Sequence, residues 1–234
     1  MTNTCTFKWT INPELKLDRE PIEVKFGEFT FILHPREVET TILTEEDADY
    51  VRGRASYFLT QFIESLKFYR KHKIDFTLIS ESIKGDDGVS RCAYSLPCTF
   101  SVVNQPERNF SDDAVIALTT AELSLNEFLL GFSIECYNKA LLSNTHVGMF
   151  YLFLAFECIV KCFSAPQQRE TMIKTLSLNT KEINNFAGIA NNFYRHPPVD
   201  KLPPTKVTQA DMNKYQNLTR TIIEKFIETQ KPEP

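Results

Sequence analysis

The chain reads as an α+β protein: an N-terminal β-rich unit with one long helix, followed by an all-α helical bundle. Three observations predict this. β-Branched and aromatic residues crowd the first forty positions, in part with period-two alternation. An apolar stripe with steps of three and four then runs through six helical turns. From Ser111 onward the pattern is helical to the end of the chain. The polar stretch from 104 to 109 is the expected boundary, giving a β-rich unit over 1–105 and a bundle over 106–234.

Strands are expected at residues 6–10, 22–26 and 30–33, with a further one over 38–43. Gly27 falls where a tight turn would join the second and third. Thr44-Glu45-Glu46-Asp47 has the composition of a helix N-cap with an acidic first turn. Ala48, Val51, Ala55, Phe58, Phe62, Leu66 and Tyr69 follow as the buried stripe of a long helix. Its basic end, Lys67, Arg70, Lys71, His72 and Lys73, has two readings: a phosphate contact, or solvated cations favoured at the negative pole of the helix dipole. Extended structure returns at 75–79 and 91–103, around a Gly-Asp-Asp-Gly turn at 85–88.

In the second half, Ser111-Asp112-Asp113 starts a long helix whose stripe is Val115, Leu118, Glu122, Leu125, Leu129, Phe132 and Cys136. An apolar helix spans about 144–163, and Pro166 suits the first turn of a short third one. Thr180-Lys181-Glu182 opens a fourth helix, with Pro197 as its stop. The last helix starts at Thr208 with a capping-box pattern and buries Met212, Tyr215, Leu218, Ile222 and Phe226.

Composition narrows the function classes. The formal charge is −4 and the pI about 5.7, so no global basic field draws the chain onto nucleic acid and any such contact must be local. Nineteen Phe and eight Tyr predict an aromatic-rich core. The six Cys form no CxxC pair and there are only four His, which argues against a structural zinc site. The start of the chain lacks the basic and apolar regions of a signal peptide, so free thiols in a reducing cytoplasm are expected. Cys158 and Cys162, at i and i+4, read as core residues. The apolar window 140–156 is shorter than the roughly 20 residues a membrane span needs. No P-loop, GxSxG, HExxH or dinucleotide-binding glycine pattern is present, and no cofactor or metal is expected.

Reactive side chains concentrate in Asn191-Asn192-Phe193-Tyr194-Arg195-His196, ahead of Pro197-Pro198. A permanent cation beside a group that titrates near neutrality suits phosphate chemistry. The plainer reading is helix capping, with His196 and Arg195 beside the last carbonyls. Glu157 is a lone acid on the apolar helix, and a buried carboxylate needs a cation; Arg195 is the expected partner.

The order of helices, the Tyr151-Leu152-Phe153-Leu154-Ala155-Phe156-Glu157-Cys158-Ile159 helix and the Asn191-to-His196 segment together resemble the HEPN superfamily of helical bundles. The likeness covers about half the chain. It is nearest to bacterial proteins of unassigned function that carry a β-rich region ahead of such a bundle. The resemblance implies a homodimer in which Arg and His of two subunits meet and cleave RNA without metal. It also implies a place in a defence or stress system. On that basis His196 is the acid/base, Arg195 the phosphate clamp, and Asn191 and Asn192 the orienting donors. The chain departs from the family motif at one position: where the motif has Arg, this sequence has Asn191. The alternative is a non-catalytic, dimeric module that binds RNA, a nucleotide or a partner protein.

Overall fold

Period-two alternation in the first segments is realised as a six-stranded antiparallel sheet. The computed structural model describes residues 2–12, 14–18, 21–70, 74–85, 90–94, 110–163, 166–190 and 207–230. The strands are β1 (Asn3–Asn12), β2 (Ile22–Phe26), β3 (Phe29–Leu33), β4 (Glu37–Thr44), β5 (Asp75–Lys84) and β6 (Ser90–Tyr94). They lie in the order β2-β3-β4-β1-β5-β6. The chain divides into two compact units, Met1–Glu122 and Leu123–Pro234.

In the first unit, one sheet face is apolar. Cys5, Phe7, Trp9 and Ile11 of β1 are all buried, as are Ile22, Val24 and Phe26 of β2. The opposite face is polar, with Thr6 and Thr41 sharing a hydroxyl hydrogen bond of 2.9 Å and Lys8 paired to Glu39 at 2.7 Å. The β2–β3 turn uses Gly27 at φ +60°, a left-handed conformation that costs glycine nothing. Helix α1 (Ala48–Arg70) begins where Asp47 Oδ1 accepts the amides of Asp49 and Tyr50. Its Phe58 ring meets Phe26 edge-on at 5.0 Å and Phe29 at 5.5 Å. The predicted stripe is widened by Leu59, Ile63 and Phe68, all buried.

The expected long helix after Ser111 is two helices, α2 (Phe110–Asn126) and α3 (Phe128–Leu141). The break is Glu127, whose backbone at φ −122°, ψ 85° leaves the helical region. The expected stripe is buried at Cys136, half-buried at Leu118, Leu125 and Leu129, and exposed at Val115 (66%), Glu122 and Phe132 (38%). The buried positions of α2 are instead Phe110, Asp113, Ala114, Ala117, Thr120, Ala121 and Ser124, mostly small residues. Small side chains let a helix approach its neighbour closely, so burial here follows size and not hydrophobic bulk.

The second unit continues with α4 (Thr145–Lys161), α5 (Gln168–Thr175), α6 (Thr180–Ala190) and α7 (Gln209–Gln230). Asn144 caps α4 by accepting the Val147 amide at 3.1 Å, and Asn179 caps α6 by accepting from Lys181 and Glu182. Thr208 and Asp211 form the predicted capping box on α7, each side chain accepting from the other's backbone amide. An aromatic chain runs through the core: Phe156 against Phe186 at 5.5 Å, and Phe186 stacked on Tyr215 at 4.8 Å. The buried stripe of α7 is as expected at Met212, Tyr215, Ile222 and Phe226 and adds Ile223 and Ile227, whereas Leu218, also expected there, is half-buried beside a groove. Among the described residues, no helix is long and apolar enough to cross a membrane.

Candidate functional site

The segment that concentrates the reactive side chains follows directly on α6. Asn191, Asn192, Arg195 and His196 all lie outside the described residues, as does the stop expected at Pro197. What the structure defines is their foundation. α6 is fixed by Ile183 and Phe186, both fully buried, and by Asn185, which donates to the Tyr215 hydroxyl at 3.2 Å.

Glu157 sits on α4 with its side chain about one-fifth exposed. Its Oε1 accepts from Arg169 Nη2 at 3.4 Å. Arg169 belongs to α5, and its guanidinium also lies 5.7 Å from the centre of the Phe156 ring. Among the described residues the cation supplied to Glu157 is Arg169; the expected partner, Arg195, lies outside them. The sequence held a signal for this. A short helix only six residues beyond α4 must fold back beside that helix's end, which brings a cation in its first turn next to Glu157.

The other arginines with described side chains are also engaged. Arg36 pairs with Glu14, Arg52 with Glu81, Arg54 with Glu28 and Arg220 with Glu224, each within 2.9 Å. Of the basic cluster closing α1, Lys67 is held by Glu64 at 2.7 Å. Arg70 is buried and donates to Asp113 Oδ2 at 2.9 Å, with the Phe110 ring 5.2 Å from its guanidinium. Neither reading of that cluster, phosphate contact or solvated end, fits Arg70: it is an internal ion pair between α1 and α2. Lys71, His72 and Lys73 lie outside the described residues.

The thiols among the described side chains behave as core groups. Cys158 is buried, and the half-buried Cys162 donates to the Cys158 carbonyl at 3.3 Å. Burial, with Glu127 adding to it, pushes the Cys162 thiol up to about 12, and burial pushes Cys136 up to about 12. Such thiols carry almost no thiolate near neutrality and are poor nucleophiles. Among the described residues, no group of three or more His, Cys, Asp or Glu is placed to hold a metal ion.

One groove of about 330 Å³ opens between the start of α6 and α7, lined among others by Ser177, Asn179, Glu182, Lys214, Thr221 and Lys225. Lys225 donates to the carbonyls of Leu176 and Ser177, closing the end of α5, where Ser177 takes a left-handed φ of 50°. Glu182 opposes Lys214 in sign, and the groove's remaining cation, Lys225, is committed to the Leu176 and Ser177 carbonyls.

No protein-family model, no curated protein and no solved structure matches this chain.

Proposed function

We propose that this is an RNA-directed protein of the cytoplasm whose HEPN-like bundle acts as a metal-independent endoribonuclease in a defence or stress response. The observation that carries the reading is the ion pair between Glu157 and Arg169. It supplies the acid of the apolar helix with a cation, so Arg195 is not required for that structural task. The arginines with described side chains, Arg36, Arg52, Arg54, Arg70, Arg169 and Arg220, are paired to carboxylates, and this reading assigns phosphate to Arg195 because it adjoins His196.

In the proposed reaction the RNA 2′-oxygen attacks the adjacent phosphorus as the bond to the 5′-oxygen breaks. His196 removes the hydroxyl proton or returns one to the leaving oxygen, work that suits a group titrating near pH 7. Arg195 stabilises the charge that builds on the non-bridging oxygens. Asn191 and Asn192 orient the phosphate by donating hydrogen bonds.

The test is cleavage of a mixed RNA pool in EDTA. Wild-type protein should cleave, and His196→Ala should lose about 10²-fold or more of the rate. No cleavage by wild type across pH 5–9 refutes the nuclease reading for that pool.

A second reading is a non-catalytic RNA- or nucleotide-binding module, and Asn191 favours it. An amide at the position where the motif has Arg can bond a phosphate but cannot neutralise it. Retention of RNA in a fluorescence anisotropy titration, with no cleavage, would select this reading.

A further inference from the structure

The outward side of α3 carries a stripe of Phe128, Phe132, Glu135, Lys139 and Leu142. The spacing is four, three, four, three. At about 100° per residue all five fall within an arc of about 80°. Phe128 is 66% exposed, Phe132 38% and Leu142 62%, and the side chains of Glu135 and Lys139 are 37% and 48% exposed. The inward side of α3 is a separate, complete core face with Leu130, Ile134 and Tyr137 buried. The exposed rings are also ordered against each other: Phe128 and Phe132 stack at 6.4 Å with planes 8° apart. This is the spacing of a coiled-coil seam, on a helix whose other side is already packed.

The stripe is complementary to itself in one direction only. When a second copy is laid antiparallel across it, centred on residue 137, Glu135 meets the other copy's Lys139, and Phe132 meets its Leu142. Each contact occurs twice, as a two-fold axis requires. A parallel pairing in register would set Glu135 on Glu135 and Lys139 on Lys139. Within one chain Glu135 and Lys139 already pair at 2.5 Å, so association turns two local ion pairs into a four-charge cluster flanked by apolar contacts. Lys139 also lies 5.9 Å from the centre of the Tyr151 ring, which puts the outward side of α4 beside the stripe. There Val147, one turn before Tyr151, is 40% exposed and widens the apolar margin.

We infer that α3 is a homotypic docking surface on which two copies of this chain pair antiparallel about residue 137. The surface is defined by the stripe alone and owes nothing to the RNA reading. A seam of about 20 Å corresponds to an interface at or below about 1,200 Å², in the class of reversible complexes.

Sedimentation equilibrium of the full chain from about 1 to 300 µM tests it. Wild type should show a reversible monomer–dimer equilibrium. Glu135→Lys and Lys139→Glu should each weaken it about tenfold or more, because each reversal creates two like-charge contacts. An equimolar mixture of the two variants should regain dimer, since every contact is then between opposite charges. The double variant Glu135→Lys/Lys139→Glu should dimerise as wild type does. Circular dichroism melts close to wild type establish that the variants are folded. A wild-type monomer throughout this range overturns the inference, leaving the face to the chain itself or to a different partner. So does a dimer indifferent to both reversals, or a mixture that fails to recover.

Discussion

The ion pair between Arg70 and Asp113 gives the sharpest prediction about the fold. The two side chains are 1% and 4% exposed and 2.9 Å apart, and they bind the last turn of α1 to the first turn of α2. Taking two charges out of water is costly, so such a pair adds little over two well-packed apolar groups. Removing one partner is different, because it takes from a buried charge the opposite charge that it faces at 2.9 Å, at about 3–5 kcal/mol. Against a total stability of about 5–15 kcal/mol, Asp113→Ala should thus remove a large fraction of what holds the first unit folded. With a urea dependence of about 2 kcal/mol per molar, the midpoint should fall by about 2 M. Trp9 is the sole tryptophan, is 1% exposed and lies in the first unit, so its fluorescence follows that unit directly. Arg70→Met/Asp113→Leu, which removes both charges, should restore most of the loss. A single-variant shift below about 0.5 M would refute the argument. So would a double variant as damaged as the single one, since the loss would then come from packing rather than from an uncompensated charge.

Two glycines should respond in opposite directions. Gly27→Ala forces a side chain into a left-handed backbone and places its Cβ 2.7 Å from Phe58, at a cost of about 2 kcal/mol. Gly53 is an exposed residue inside α1, and nothing lies within 4 Å of the point a Cβ would occupy, so Gly53→Ala should stabilise by about 0.5–1 kcal/mol. Trp9-monitored melts read both. The α7 capping box should be pH-dependent. Hydrogen bonds from the Thr208 hydroxyl and amide hold the Asp211 carboxyl below its ordinary 3.8. A depressed folded value means that the stabilisation is fully present above about pH 4 and is lost as pH falls through the folded value. The melting-temperature gap between wild type and Thr208→Ala, followed by far-ultraviolet circular dichroism, should therefore narrow between pH 7 and about pH 2.5. A constant gap would count against the charged box.

The parts of the fold legible in the sequence are those fixed by local pattern. Strands β1 to β4 follow β-branched and aromatic residues. α1 and α7 follow wide apolar stripes behind recognisable caps. The buried face of α2 is not legible in this way, because apolar bulk is a poor guide where a helix packs through alanine, threonine and serine. Its exposed Val115 is far more hydrophobic than its buried Asp113. That aspartate is buried because of Arg70, 43 positions earlier, and no local window contains both. The partner of Glu157 escapes a local reading for a related reason. Arg195 attracts notice because it neighbours His196, whereas Arg169 gains its role from the return of α5 onto α4.

On the RNA reading, the residues that would hold a phosphate follow α6 in sequence. Asparagine donors can bond a phosphate but cannot neutralise it, because an amide is neutral, whereas a guanidinium can. The substitution of Asn191 for the motif's arginine therefore places the electrostatic demand of the RNA reading on Arg195. The Arg169–Glu157 pair matters for that reason: it gives the acid of α4 a cation from α5, which bears on one of the two structural tasks that the sequence pattern offers Arg195, helix capping being the other.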